Sequence, residues 1–179
     1  IYSLEDRDIL DRELEALYRL KIPAELAGNL PLPLHTAGAV CFRDQAQFHP
    51  LKFLSEIVEN LNIREKTRAL EIQKGRVMTD RGTIRAEKII VATHFPVYDR
   101  RGLYFMKQYQ DRSYVLALSG AADVKGMYLD GSGKGFSFRN QDGLLLLGGG
   151  SHRTGKTSSG WKPLAAFARG RYPGAREVA

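Results

Sequence analysis

The sequence predicts an α+β fold: a mixed, largely antiparallel sheet with flanking helices, plus a three-stranded meander. Three observations carry this. Apolar residues recur at helical spacing in only a few stretches, two-residue alternation dominates from residue 63 onward, and the alternating runs are joined by short turn signals instead of helix-length crossovers. No G-x-G-x-x-G turn opens a βαβ unit anywhere in the 179 residues, so a complete Rossmann unit is not expected.

Taken in order, Ser3 with Asp6 three residues on approximates a capping box, and Leu10, Leu14, Leu17 and Tyr18 continue one helix face until Pro23 stops it. Two prolines within residues 28–36 make that stretch an extended connector. A second helix starts at His49-Pro50, since proline suits the first helical position. Its residues Leu51, Leu54, Ile57, Val58 and Leu61 predict one buried stripe running to about Asn62. His49 is read as the cap of that helix rather than as a catalyst.

Residues 1–62 therefore form a helical segment. Residues 63–97 read as a meander with strands at 63–73, 76–79 and 83–93, joined by Lys-Gly and Asp-Arg-Gly turns. The run Ile89 to Ala92 predicts a strand buried on both faces. Residues 98–179 hold strands at 113–119, 126–130, 136–140 and 144–150, the last following an Asn-Gln-Asp-Gly turn, and a closing helix from about Pro163 to Arg169. Tyr104, Tyr109 and Tyr114 are read as core. The whole is expected to be one compact unit.

Composition narrows the functional classes. With 43% hydrophobic and 26% charged residues the chain should fold. Cys41 has no cysteine partner, and His35, His49, His94 and His152 are too scattered for a metal site, so no disulfide and no metal are expected. No apolar run reaches 18 residues and the start is acidic, which points to a cytoplasmic protein with no membrane partner. A chain beginning at Ile1 reads as a piece of a longer one. The net charge of +7 is concentrated towards the C-terminus, where residues 151–179 carry six bases and one acid. That basic stretch supports an alternative reading as a non-catalytic anion- or nucleic-acid-binding module, but no recognition helix or aromatic-basic sheet accompanies it, and nucleic acid is not the expected partner. The string Gly150 to Thr157 spells G-x-x-x-x-G-K-T; SSGWKP after it is a poor helix start, so it is not read as a phosphate loop.

The ordered set QAQFHPLKFL (45–54), the meander REKTRALEIQ to RVMTDRGTIRAEKIIVATHFPV (64–97) and the later GMYLDGSGKGFSFRNQDGLLLLGGGSHRTGK resembles FAD-dependent oxidoreductases of the D-amino-acid oxidase, glycine oxidase and sarcosine oxidase superfamily. The second half is similar to the branch that often carries a C-terminal Rieske iron–sulfur domain. The resemblance implies FAD as cofactor, a small-molecule amine or amino-acid substrate, and, as partners, the remaining FAD-binding segments of a parent chain and a Rieske domain. It implies that this chain is the central, substrate-binding fragment, inactive on its own, with the 63–97 meander packing on the FAD domain. Residue by residue, Ala69 stands where the family usually has a valine whose backbone meets the adenine. Ala92, Thr93 and His94 stand where it reads Ala-Thr-Gly near the flavin ring, with His94 replacing the glycine. Arg139 matches an arginine on a pocket-facing strand, and His152 lies in a Gly-Gly-Glu-x-His-x-Thr-Gly-like segment whose Glu is Gly150 here. From its own strand position, opposite the face of Phe136 and Phe138, Arg139 could bind a substrate carboxylate or simply be solvated.

Overall fold

The computed structural model describes residues 1–96, 102–133 and 135–179. They form two compact units, Ile1–Gln45 with Gln110–Ala179, and Ala46–Tyr109. Val97, the last residue of the expected meander segment, lies outside the described residues. As expected, the architecture is α+β with antiparallel sheets.

The first unit opens with β1 (Tyr2–Ser3), α1 (Arg7–Arg19), β2 (Ala24–Ala27) and β3 (Gly38–Phe42), the strands pairing antiparallel in the order β1-β3-β2. The cap of α1 is Asp6 and not Ser3: the Asp6 carboxylate accepts from the Asp8 N–H at 2.9 Å, whereas Ser3 is buried in β1 and its hydroxyl accepts from the Asp6 N–H at 3.1 Å. The helix lays Leu10 and Leu17 against Val40 of β3. The 28–36 connector has no regular structure, yet it seals the main core with Leu32.

The second unit contains α2 (Pro50–Val58), β4 (Ala69–Gln73), β5 (Arg76–Thr79), β6 (Gly82–Arg85) and the single turn α3 (Tyr104–Lys107). The three strands form the expected meander, order β4-β5-β6. His49 caps α2, its Nδ1 accepting from the Lys52 N–H at 3.3 Å. Two expectations fail here. The stripe Leu51, Leu54, Ile57 and Leu61 is exposed, because within its unit no described element covers that face. Residues 86–93 are not strand: β6 ends at Arg85, its outer edge gains no fourth strand, and Ile90 stands 89% exposed. An apolar β-branched run without a neighbouring strand has no ladder to join. Tyr104 and Tyr109 are likewise exposed instead of core.

The chain then returns to the first unit with β7 (Asp111–Ser119), β8 (Tyr128–Leu129), β9 (Ser137–Gln141), β10 (Leu144–Arg153), α4 (Lys162–Arg171) and β11 (Arg176–Glu177). The strands form one five-stranded sheet, order β11-β7-β10-β9-β8. Alternation gives this sheet two distinct faces. One carries Leu116, Leu118, Phe138, Leu145 and Leu147, all buried, and α4 closes over it with Leu164 and Ala168. Phe167 of the same helix meets Phe136 at 4.7 Å and Phe138 at 5.8 Å between ring centroids. Each fully buried side chain of this kind contributes roughly 1.5–3 kcal/mol. The opposite face carries Val115, Ser137, Arg139, Leu146 and Gly148, and it is where a cleft forms. Tyr2 joins the two sheets of the unit. Its ring is fully buried, its hydroxyl donates to the Phe136 carbonyl at 2.6 Å, and the same oxygen accepts the Phe136 N–H at 3.2 Å.

Candidate functional site

The register of the β9–β10 hairpin positions the site. Asp142 and Gly143 form its two-residue turn, with φ of 50° and 78°, the pair of positive values that a type I′ turn needs. That turn pairs Gln141 with Leu144, and therefore Arg139 with Leu146 and Ser137 with Gly148. On the far side of β10, Gly148 faces Val115 of β7. The result is a cleft of about 390 Å³ whose walls include Val115, Met127, Leu129 and Leu146, with the Ser137 hydroxyl and the Arg139 guanidinium as polar features. This volume falls at the lower end of the roughly 300–1,000 Å³ typical of small-molecule sites. Glycine at 148 keeps the floor open: a Cβ there would collide with the Ser137 hydroxyl oxygen.

Arg139 is exposed at this cleft, and no carboxylate among the described residues forms an ion pair with it. A planar guanidinium with no partner, above an apolar floor, can take a carboxylate by two parallel hydrogen bonds. The other ionisable side chain at the cleft is Tyr128. Burial above all, then the nearby Cys41 and Asp123, raises its pKa, and its hydroxyl donates to the Val124 carbonyl at 2.9 Å. It stays a neutral phenol with its proton already committed, not a base.

His152 is not in this cleft. Simple alternation along β10 would place residue 152 on the same face as 146 and 148, but a bulge between Gly149 and His152 shifts the register, pairing His152 with Arg112. Gly150 makes the bulge with φ of 67°. His152 consequently stacks on Tyr114, centroids 5.6 Å apart and planes 8° from parallel, and its Nδ1 lies 3.2 Å from the Gly150 carbonyl. Tyr114 in turn meets Trp161 edge-on at 4.5 Å. A second, open depression lined by Gly150, Ser151, His152 and Thr157–Ser159 lies there. The Gly150–Thr157 string is thus the end of a strand and a turn, and α4 begins only at Lys162.

Ala69, Ala92, Thr93 and His94 belong to the second unit, and all four are exposed. Ala69 pairs with Thr79 on one side only, because β4 is the edge of its sheet, so its outer main chain is open to a ligand. Residues 92–94 are irregular, and the Thr93 hydroxyl donates to the Phe95 carbonyl at 2.8 Å. Open main chain at both places fits contacts to a cofactor's adenine and ring system made through backbone groups. The His94 side chain, where a glycine would admit closer approach, is one departure, and Ala69 in place of a valine is the other. Among the described residues no cluster of His, Cys, Asp and Glu could hold a metal ion, and no helix is long and apolar enough to cross a membrane.

A family model for FAD-dependent oxidoreductases, DAO, matches residues 2–179. The chain belongs to the DAO family of FAD-dependent oxidoreductases. Its cofactor chemistry is accordingly that of FAD. Among curated proteins this DAO-family chain is similar to the putative Rieske 2Fe-2S iron-sulfur protein YhfW of Bacillus subtilis (strain 168), with 39% identity over 158 residues. That match covers 80% of this chain and 31% of the relative, so the chain spans about a third of the relative's length. The branch with a Rieske domain, expected from the sequence, agrees with that relative's name. No solved structure matches.

Sequence reasoning found Arg139 but not the cleft around it. Val115, Ser137, Leu146 and Gly148 were each legible in principle, since the Asp-Gly turn fixes which residues face one another across β9 and β10.

Proposed function

We propose that the first unit is the substrate-binding part of a flavin-dependent oxidoreductase acting on an amine or amino acid, and that Arg139 anchors the substrate carboxylate. One observation carries this reading: a guanidinium with no described ion-pair partner is the one charged side chain among the described residues lining an apolar cleft sized for a small molecule. FAD, when bound, supplies the two-electron acceptor for oxidation of a carbon–nitrogen bond. The chain's own residues do the positioning. Arg139 fixes the carboxylate, Val115 and Leu146 present apolar wall to the remainder of the substrate, and Tyr128 keeps its proton.

Ala69, Ala92, Thr93 and His94 form, in this reading, the chain's share of the cofactor contacts. The exposed stripe of α2 and the 63–97 segment supply the surface that packs on the FAD-binding segments, which accounts for Leu51, Phe53, Leu54 and Ile57 standing in the open. The name of the Bacillus relative supports a Rieske domain as a further partner that draws electrons from the flavin. His152, the other residue expected to bind substrate, lies on the opposite face from Arg139, stacks on Tyr114 and lines the separate depression with Gly150 and Thr157.

Reduction of the flavin by a panel of amines and amino acids, followed anaerobically by absorbance in the full-length protein, tests this reading. Arg139→Met should raise KM for carboxylate-bearing substrates by about ten- to a hundredfold, as expected for a lost hydrogen-bonded charge pair. Unchanged KM in that variant would remove Arg139 from the site.

A further inference from the structure

We propose that the depression beside the β10 bulge binds a tetrahedral oxyanion of the phosphate type, and that His152 holds it through a protonated Nε2. This site shares no residue with the Arg139 cleft and does not rest on the reading of Arg139 as an anchor. The depression measures about 490 Å³, and the described residues lining it offer one imidazole and four hydroxyls but no aspartate or glutamate. It is also not the main-chain cradle of a phosphate loop, since α4 starts only at Lys162. The donors here are side chains.

The bulge sets the tautomer of His152. A carbonyl oxygen only accepts, so the 3.2 Å approach of Nδ1 to the Gly150 carbonyl keeps a hydrogen on Nδ1, and stacking on Tyr114 fixes the ring plane. Nε2 has no hydrogen-bond partner among the described residues. To hold a ligand that only accepts, Nε2 must carry a hydrogen as well, so anion binding takes up one proton and leaves the ring an imidazolium. The surrounding charge favours that state. Arg112 stands opposite His152 in the β7–β10 ladder, residues 151–162 hold Arg153, Lys156 and Lys162 without an acid, and the one acid of the two strands, Asp111, stands opposite Arg153. Hydroxyls supply the remaining donors. The Ser158 oxygen accepts the Gly160 N–H at 3.1 Å, which leaves its O–H to donate, and the hydroxyls of Ser151, Thr157 and Ser159 have no partner among the described residues.

Isothermal titration of the full-length protein with sulfate, whose own charge does not change with pH in this range, tests the site. Sulfate should bind at about pH 5.5 and about tenfold or more weakly at about pH 8.5, because an imidazole gives up its extra proton over that interval while arginine, lysine, tyrosine and aspartate side chains ordinarily keep their charge. His152→Gln should bind weakly at both values and without pH dependence. Thr157→Val, at an exposed position, removes one donor without touching the stack on Tyr114 and should weaken sulfate about two- to tenfold. Arg139→Met should leave sulfate affinity unchanged. Ribose 5-phosphate that binds more tightly than inorganic phosphate, and loses that binding in His152→Gln, assigns the site to a phosphate ester; equal affinities with the same dependence assign it to the free anion, and either supports the site. Absence of sulfate binding in the parent, affinity unchanged in both His152→Gln and Thr157→Val, or loss of binding in Arg139→Met instead overturns the proposal. Binding that needs both residues but is constant with pH overturns the protonated Nε2.

Discussion

Tyr2→Phe removes one oxygen atom and should expose how the two sheets of the first unit are fastened. The ring is fully buried and keeps its contact with Phe138, 6.4 Å between centroids, so the substitution leaves packing almost unchanged. What is lost is a hydroxyl that serves the Phe136 backbone twice, accepting its N–H at 3.2 Å and donating to its carbonyl at 2.6 Å. Leaving those groups unpaired costs about 1–3 kcal/mol. The pH dependence is a sharper signature. Burial above all raises the Tyr2 phenol from an ordinary 10 to about 12, with Asp130 adding to the rise. The folded state thus holds this proton more tightly than the unfolded chain. The resulting stability is complete below pH 10, falls as pH rises from there, and is gone above about pH 12. The gap sets a ceiling of about 3 kcal/mol on that loss, lowered by whatever solvent screening reaches the phenol. Urea unfolding of the parent and of Tyr2→Phe, near neutral pH and then across the alkaline range, gives both quantities. Tyr128 and Tyr172 titrate in both proteins and cancel in the difference. The parent should be the more stable near neutrality, with the difference narrowing above pH 10. A difference that is absent at neutrality, or constant through the alkaline range, refutes the argument.

Two further substitutions probe the same unit. Gly150→Ala places a Cβ 3.2 Å from the Tyr114 ring and 3.4 Å from the Gly160 carbonyl at a φ of 67°, so it should cost about 1–3 kcal/mol and alter Trp161 fluorescence through Tyr114; an unchanged melting temperature and emission would show that the bulge tolerates a side chain. The Tyr172 hydroxyl is buried with no hydrogen-bond partner among the described residues, and burial raises its pKa. Tyr172→Phe should be neutral or stabilising by up to about 1 kcal/mol, and a clear drop in melting temperature would mean that the hydroxyl is satisfied after all.

The sheet that carries the cleft was legible because its strands alternate and its hairpin is closed by Asp142-Gly143, signals that act over a few residues. What escaped depended on contacts distant in sequence. β2 and β3 are rich in small residues and become strands only by pairing with each other and with β1. Ile89 to Ala92 has the composition of a strand but no neighbour to bond. The α2 stripe was read correctly as a face; a face does not say what covers it. Most instructive is His152: period two assigns it to the Arg139 side, and one glycine at φ of 67° moves it to the other. The run Gly148 to Gly150 was the available warning, since glycines inside a strand often mark a bulge.

The five-stranded sheet ends on both sides in strands of only two residues, β11 at one edge and β8 at the other. β11 pairs only with Leu118 and Ser119 of β7, and β8 only with Ser137 and Phe138 of β9, so the remaining length of each inner strand borders no further strand among the described residues. α4 occupies one broad surface of this sheet, and the cleft bearing Arg139 opens on the other.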